Sequence, residues 1–541
     1  MKKYIELTKL FRNLRKKQIG LFFVCLLSIV LNLLFIYQIQ EFVDMVTQLE
    51  EWNAIIRMFL IICGIGGLSL VVGIIENRKW HTFRYTLINQ MRCMMYNRLL
   101  TRSAAFYDAR TTGDMVSAIM NDGSIIAESA GIDVLMLLLN VFQVVAITAI
   151  LIVKAPVMGI AACAAGAVYF IAVNRVNKRM RSTYKEFSQE NANLNHHLTE
   201  DIKAVLEIKA LSATGFFEKR YHNRVWDKYF AKAKKVIGID VTAYALNTFI
   251  SVIFPVVMTL LGGVFLYKGE ISIGVVILFY TYSQRLIEPL NNLADFYRGT
   301  QIAIGAAERV YEYLQEDTKE KQMPLPDADE TELEISIEQF AWGERSVLHN
   351  IHEKYHGGDC IFIEGESGAG KTTLLKLLCG FYKVTDGFVA INGKDVYTMS
   401  ESERFRWIKI QFQEPVILEG TLRDNIVLGE NYSDEEVMRV LEMGGLKDFV
   451  HEYGLDYKVA EAGNNMSGGQ KQRLALARVL IRKPKILILD EATNGMDAGT
   501  EQLVLENIRQ FVAENNSILF VTSHKEAPRQ ICNKTIALSQ R

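Results

Sequence analysis

The run Gly365-Glu366-Ser367-Gly368-Ala369-Gly370-Lys371-Thr372-Thr373 fits the pattern G-x-x-x-x-G-K-[ST]. Glycines at this spacing let backbone N–H groups turn inward around phosphate oxygens, and a helix starting at the end of the run adds positive potential. Lys371 is suited to neutralise β- and γ-phosphates, and the Thr372 hydroxyl to ligate Mg²⁺. The flanks support this over an incidental glycine turn, because Cys360–Glu364 reads as a buried strand and Thr372–Leu378 as a helix. Further on, Lys485-Ile486-Leu487-Ile488-Leu489-Asp490-Glu491 is an apolar strand ending in two acids. Alone it could be an acidic helix cap; beside a phosphate loop it suits hydrolysis. Asp490 would hold Mg²⁺ through water, and Glu491 would orient and deprotonate an attacking water.

A second glycine turn, Asn465-Met466-Ser467-Gly468-Gly469-Gln470, precedes a helix expected to begin near Lys471. It is a second anion-binding device. One phosphate loop in one chain has no need of it. It has a use if each ATP lies between the loop of one molecule and this turn of another, which predicts a symmetric dimer with two ATPs at its interface.

With these residues in place, the second half of the chain resembles the ATPases of ABC transporters. Ser467–Gln470 is similar to the family signature, with Met466 where leucine is usual. The resemblance implies further roles. Gln413, in Gln411-Phe412-Gln413-Glu414-Pro415, stands for a glutamine that senses Mg²⁺ and the membrane domain. His524, after the strand Ser517–Val521, stands for a histidine that contacts the γ-phosphate. Trp342 stands for an aromatic that stacks on adenine, Glu461-Ala462-Gly463 for a loop that touches the membrane domain, and Asp497 for an interface aspartate. Asn494-Gly495-Met496 departs from the usual Ser-Ala-Leu. Lys371, Asp490, Glu491 and His524 are all present, so a competent site is expected. Neither a leading peptidase-like domain nor an extended C-terminal regulatory segment is expected.

The elements that must position this chemistry belong to a chain of 541 residues with net charge -1, a balance that gives no reason to expect a nucleic-acid partner. Mean hydropathy is only +0.11. Yet the apolar runs lie almost wholly before residue 300. Six can be read: Ile19–Ile39, Ala54–Ile75, Val134–Val153, Ala155–Val173, Thr248–Tyr267 and Ile271–Leu290, the last weakened by Arg285 and Glu288. Each is long enough to cross ~30 Å of hydrocarbon as a helix. The segments after the second and fourth are rich in Lys and Arg (Arg78, Lys79, Arg84, Arg92; then Arg175, Lys178, Arg179, Arg181, Lys185), whereas the alternate loops are short and carry little positive charge. The positive-inside rule then puts both termini in the cytoplasm, with a bacterial cytoplasmic membrane the expected location. The basic, partly apolar stretch before Lys17 is either an amphipathic helix on the inner membrane surface or a plain basic flank. Seven scattered cysteines without a C-x-x-C pair suggest neither a metal site nor a disulfide framework.

The fold class expected is an all-α six-helix transmembrane domain over 1–314, a charged linker over 315–330, and an α/β P-loop ATPase domain over 331–541. Residues 77–130 and 175–245 read as helices continued past the membrane, with breaks at Thr111–Asp114 and Ala213–Gly215. This half resembles the exporter fold of the same superfamily at Phe106-Tyr107-Asp108, Thr112-Gly113-Asp114, Asn121-Asp122, Ile208-Lys209-Ala210, Glu288-Pro289-Leu290 and Ala307-Glu308-Arg309-Val310. The resemblance implies export driven by ATP, with Mg²⁺, in a dimer with a second half-transporter, identical or different. The residues alone do not set the direction of transport. The polar span residues Asn32, Gln38, Asn140, Gln143, Asn247, Gln284 and Arg285 serve either substrate contact or helix–helix bonding. The substrate expected is amphipathic: a peptide, lipid or drug-like molecule. Other classes are an ATP-gated regulator or channel without pumping, and a soluble ATPase acting on nucleic acid, which six spans oppose.

Overall fold

The computed structural model describes residues 2–315, 330–343 and 345–539. Of the expected linker over 315–330, residues 316–329 lie outside the described residues, as do the side chains of Lys178, Arg179, Arg181, Lys185 and Asn247. The chain forms two compact units, one of Met1–Thr101 with Thr111–Gln315, the other of Arg102–Arg110 with Glu316–Arg541.

The first unit is all helical. Four of its helices, Arg12–Thr47, Trp52–Leu99, Thr112–Lys154 and Thr214–Tyr267, are long and apolar enough to cross a membrane. The fourth apolar stretch lies on Pro156–Lys203, with an apolar part over Pro156–Ala172. The sixth lies on Ile273–Leu314, which falls short of the same apolarity because Arg285 and Glu288 interrupt it. Trp52–Leu99 has 48 residues. At 1.5 Å per residue that is about 72 Å, more than twice the hydrocarbon thickness, so the helix runs on well beyond the bilayer. The expected breaks appear. Thr111 caps the helix at Thr112 through a box with Asp114, and Ala213 precedes Thr214–Asn223.

Buried Ile147, Leu151, Met158, Met258, Leu278, Phe279 and Tyr282 form the core between the spans. The Tyr282 hydroxyl donates to the Leu33 carbonyl at 2.7 Å, which satisfies a polar atom that lipid could not. Asp44 joins the first span to the last. It accepts from the Ser272 hydroxyl at 2.7 Å and from Gly274 N–H at 2.8 Å, at the positive end of helix Ile273–Leu314. A Cβ on Gly274 would come within 2.4 Å of the Gln40 carbonyl, so only glycine permits this approach. The first helix, Lys2–Lys9, buries one side within the unit and leaves Ile5 exposed on another. Leu7, Phe11 and Leu14 are buried within the unit, and Tyr4 hydroxyl and Ser129 are 2.8 Å apart.

The second unit is α/β. Its parallel sheet has the order β11-β3-β10-β9-β6, with β3 at Cys360–Glu364, β6 at Ile408–Gln411, β9 at Ile486–Asp490, β10 at Ile518–Thr522 and β11 at Lys534–Ala537. An antiparallel sheet of order β2-β1-β4-β5 stands beside it, from β1 (Glu332–Trp342), β2 (Arg345–His356), β4 (Asp386–Ile391) and β5 (Lys394–Asp395). A small pair, β7 (Gly420–Thr421) with β8 (Lys458–Val459), completes the strands. The antiparallel sheet is an addition to the expected parallel one. β3, β9 and β10 are buried along almost their whole length, as parallel strands covered on both faces must be. A separate core gathers Val437, Leu441, Leu446, Val450 and Leu474 from helices Asp434–Met443, Lys447–Tyr453 and Gly468–Leu480.

Candidate active site

Register decides which side chains meet. In the parallel sheet Ile363 pairs with Thr522, and Thr522 pairs with Asp490. The carboxyl ends of β3, β10 and β9 are therefore level, and ligands bind in open α/β sheets just beyond such ends. The glycine run leaves β3 there. Gly368 and Gly370 take φ of 84° and 96°, a left-handed backbone that the turn into helix Lys371–Leu378 requires. Gly365 is held close, since a Cβ there would come within 2.9 Å of the Leu538 carbonyl. Glu366 accepts from Ala369 N–H at 3.1 Å, closing the loop, and Ala369 is buried. The Lys371 ammonium donates to the Gly365 carbonyl at 2.7 Å, which keeps the cation inside the loop's own curve.

Thr372 Oγ1 lies 3.4 Å from Asp490 Oδ2, and Thr522 Oγ1 donates to Asp490 Oδ1 at 2.7 Å. Burial pushes the Asp490 carboxyl above its ordinary value, Glu491 beside it pushes the same way, and the Thr522 hydrogen bond opposes the shift. A buried carboxylate short of positive charge, facing a hydroxyl, is a hard-oxygen donor set that fits Mg²⁺.

The next residue, Glu491, has a side chain only 11 % exposed. Its Oε2 accepts from Gln413 Nε2 at 2.7 Å and from Asn494 Nδ2 at 2.6 Å, and its Oε1 is 3.1 Å from His524 Nε2. Its φ is 51°, left-handed for a residue with a side chain, and its N–H bonds the Thr522 carbonyl and hydroxyl. Strained backbone held by its surroundings often marks a working position. Trp342 Nε1 donates to Thr373 Oγ1 at 3.3 Å, and the indole meets Tyr382 edge to face at 4.6 Å. The Tyr382 hydroxyl donates to Asp108, so helix Ala104–Asp108 belongs to this unit.

The turn at Ser467 is built differently. Its helix begins at Gly468 rather than near Lys471, because Ser467 caps it: Gln470 N–H donates to Ser467 Oγ at 3.2 Å, and Ser467 N–H to Gln470 Oε1 at 2.8 Å. Gly469 packs on Gly495, whose carbonyl would lie 2.4 Å from an added Cβ. Met466 is buried in the helical core, where a methionine fills the space of a leucine at little cost. Ser467–Gln470 thus stand on one hydrophobic core and the Lys371 loop on another.

Sequence reasoning missed two contributors. Thr522 falls just past the strand expected over Ser517–Val521, and its alignment with Asp490 needs the sheet register. Asn494 was noted only as a departure, yet its amide reaches Glu491. In the first unit the structure joins two of the quoted stretches: Arg309 grips Asp122 through two hydrogen bonds, each 2.7 Å.

The family model for the ABC transporter transmembrane region matches residues 19–290, and a second model, described as ABC transporter, matches 348–494. A putative export ATP-binding/permease protein of Rickettsia bellii is 25% identical over 94% of this chain and 90% of its own length. An ATP-dependent lipid A-core flippase of Syntrophus aciditrophicus is 26% identical over 92% of the chain and 82% of its length. A lactococcin transport/processing ATP-binding protein of Lactococcus lactis is 29% identical over 81% of the chain and 61% of its length. Among solved structures, a bacterial Atm1-family ABC exporter with ATP bound superposes with a TM-score of 0.82 at 20% identity, covering 97% of this chain and 93% of that one. That likeness shows the exporter fold. The chain belongs to the ABC transporter family: it is an integral membrane transport ATPase whose helical membrane domain is fused to its nucleotide-binding domain.

Proposed function

We infer that the protein is a primary active exporter that hydrolyses ATP as a dimer and moves an amphipathic or peptide-like molecule across a bacterial cytoplasmic membrane by alternating access, with both termini inside. The observation that carries the hydrolytic part is the hold on Glu491 by Gln413, Asn494 and His524, beside the Thr372–Asp490 pair.

The residues divide the work as follows. Backbone N–H groups of Gly365–Thr373 and the Lys371 ammonium bind the β- and γ-phosphates of ATP, and Trp342 stacks on the base. Thr372 and Asp490, with Gln413, hold Mg²⁺, which when bound supplies positive charge against the phosphate oxygens. Glu491 takes the proton of the attacking water on its carboxylate, and His524 both orients that carboxylate and faces the γ-phosphate. Ser467, Gly468, Gly469 and Gln470 offer a second helix N-terminus to the nucleotide bound on the partner subunit. Shared binding of this kind draws two ATPase domains together, and loss of the γ-phosphate charge lets them part. The breaks near Asp108–Asp114 and Ala213–Lys219 pass that motion to the membrane helices.

Reconstitution in proteoliposomes tests the reading. ATP-dependent vectorial flux that disappears in Glu491→Gln supports it; ATP turnover with no coupled flux of any amphipathic solute would replace it with an ATP-gated regulator.

A further inference from the structure

A cavity of about 400 Å³ opens among four helices of the first unit, Arg15–Thr47, Trp52–Leu99, Thr112–Lys154 and Ile273–Leu314. Its polar lining includes two carboxylates from different spans, Glu76 and Glu288, with the amides of Asn140, Gln143 and Asn292 and the indole of Trp80. Met136 and Leu139 supply an apolar wall. Glu288 and Asn292 also line a neighbouring cavity of about 430 Å³ with Gln284 and Ser251. Asn140 is buried and its Oδ1 accepts from Asn292 Nδ2 at 3.3 Å, so the amides are fixed against each other.

The charge in this place is one-sided. Among the described residues no Lys, Arg or His forms an ion pair with Glu76 or Glu288. Arg285 lies on the same helix as Glu288 but lines neither cavity. Glu76 directly follows the apolar run ending at Ile75, and Glu288 falls two residues before the end of the run at Leu290. Both therefore sit at the end of their spans that adjoins the Lys- and Arg-rich segments. Glu76 is half-buried and Glu288 exposed, so both carboxylates are open to an arriving cation. Around them the cavity lining brings amides, an aromatic face and apolar walls, and no basic side chain. Those are the groups that hold an organic cation: carboxylates for its charge, indole for its cation–π face, and Met and Leu for its hydrocarbon.

We propose that this cavity is the binding site for a lipophilic organic cation, which Glu76 and Glu288 select by charge. The assignment deepens the export reading and rests on it for the fate of the bound molecule. It excludes anionic lipids and acidic peptides as preferred occupants.

The test uses the full chain in lipid nanodiscs, without nucleotide, and a pair of probes of equal size and opposite charge: tetraphenylphosphonium and tetraphenylborate. Equilibrium dialysis, corrected with empty nanodiscs, should show saturable binding of the phosphonium and none of the borate. The double variant Glu76→Gln/Glu288→Gln should weaken phosphonium binding by about threefold or more, as loss of two partly exposed charge partners does, and Glu288→Asp should keep most of it. Saturable borate binding, an unchanged phosphonium affinity in the double variant, or no saturable phosphonium binding overturns the proposal. If the double variant does not fold, the two probes on the unaltered protein decide. The export reading fails separately: phosphonium bound but never moved by ATP leaves the cavity assignment standing and removes the exporter, whereas ATP-driven flux of other solutes without phosphonium binding does the reverse.

Discussion

Gln413 and Glu491 are 78 residues apart in sequence, yet the Gln413 amide donates to the Glu491 carboxylate at 2.7 Å. The bond leaves β6 at Gln411 and reaches across to the end of β9, its neighbour in the parallel sheet. It aims the carboxylate that is to take a proton from water. Gln413→Ala should lower the kcat of ATP hydrolysis by about tenfold or more, with a smaller change in the KM for ATP, because the contact orients a base more than it binds nucleotide. Steady-state kinetics measure both. An unchanged kcat would remove Gln413 from that role.

Asn494 donates to the same oxygen, Glu491 Oε2, at 2.6 Å, while His524 faces Oε1. Asn494→Ala frees Glu491 to turn, and should cut turnover several-fold while ATP binding, read by fluorescent-nucleotide titration, stays intact. Asn494→Ser, which restores a short hydroxyl, should fall between the two. Equal turnover in all three proteins would make the contact incidental.

The raised Asp490 carboxyl has a consequence for stability. Its folded value lies above its unfolded one, so the folded state binds the proton more tightly, and at neutral pH ionised Asp490 is a penalty on folding. That penalty is relieved as pH falls through the raised folded value toward the unfolded one. Asp490→Asn should therefore raise the Tm of the nucleotide-free, chelator-treated protein at pH 7.5, and the gain over the unaltered protein should shrink on acidification. The same substitution should abolish Mg²⁺-dependent hydrolysis. Calorimetry across pH checks the sign; a lower Tm at pH 7.5 would contradict it.

Asp122 is buried, and Arg309 covers it with two charged hydrogen bonds. Arg309→Ala leaves that carboxylate without a partner, at a cost of about 2 kcal/mol. Limited proteolysis of the purified protein should show faster cleavage within Thr112–Lys154, and Asp122→Asn on the same background should recover part of the loss. Unchanged proteolysis in Arg309→Ala would show that the pair adds little.

Much of the ATPase domain was legible because its signals are local. The phosphate loop, the two acids at the end of β9 and the capped turn at Ser467 each need only a few adjacent residues to declare a backbone shape. What sequence did not show depends on register and approach. Thr522 serves Asp490 only because β10 lies beside β9 in step. Asn494 serves Glu491 only because the chain turns sharply after a left-handed residue. In the membrane domain, apolar length gave the first spans, while the last was diluted by Arg285 and Glu288. Glu288 now lines two cavities, so the residue that blurred the span is the one with a use. At the N-terminus, the packing of Leu7, Phe11 and Leu14 within the unit is a contact that the amphipathic pattern alone does not show.

Shared nucleotide binding can be tested directly with mixed dimers carrying two different tags. In the first pairing one subunit carries Lys371→Ala and the other Ser467→Arg; in the second, one subunit carries both and its partner neither. If each ATP lies between the Lys371 loop of one subunit and the Ser467 turn of the other, the first pairing keeps one intact site and hydrolyses ATP, while the second keeps none and falls to background. Activity in the second pairing with none in the first would mean that a single polypeptide encloses its own nucleotide, and would contradict the account.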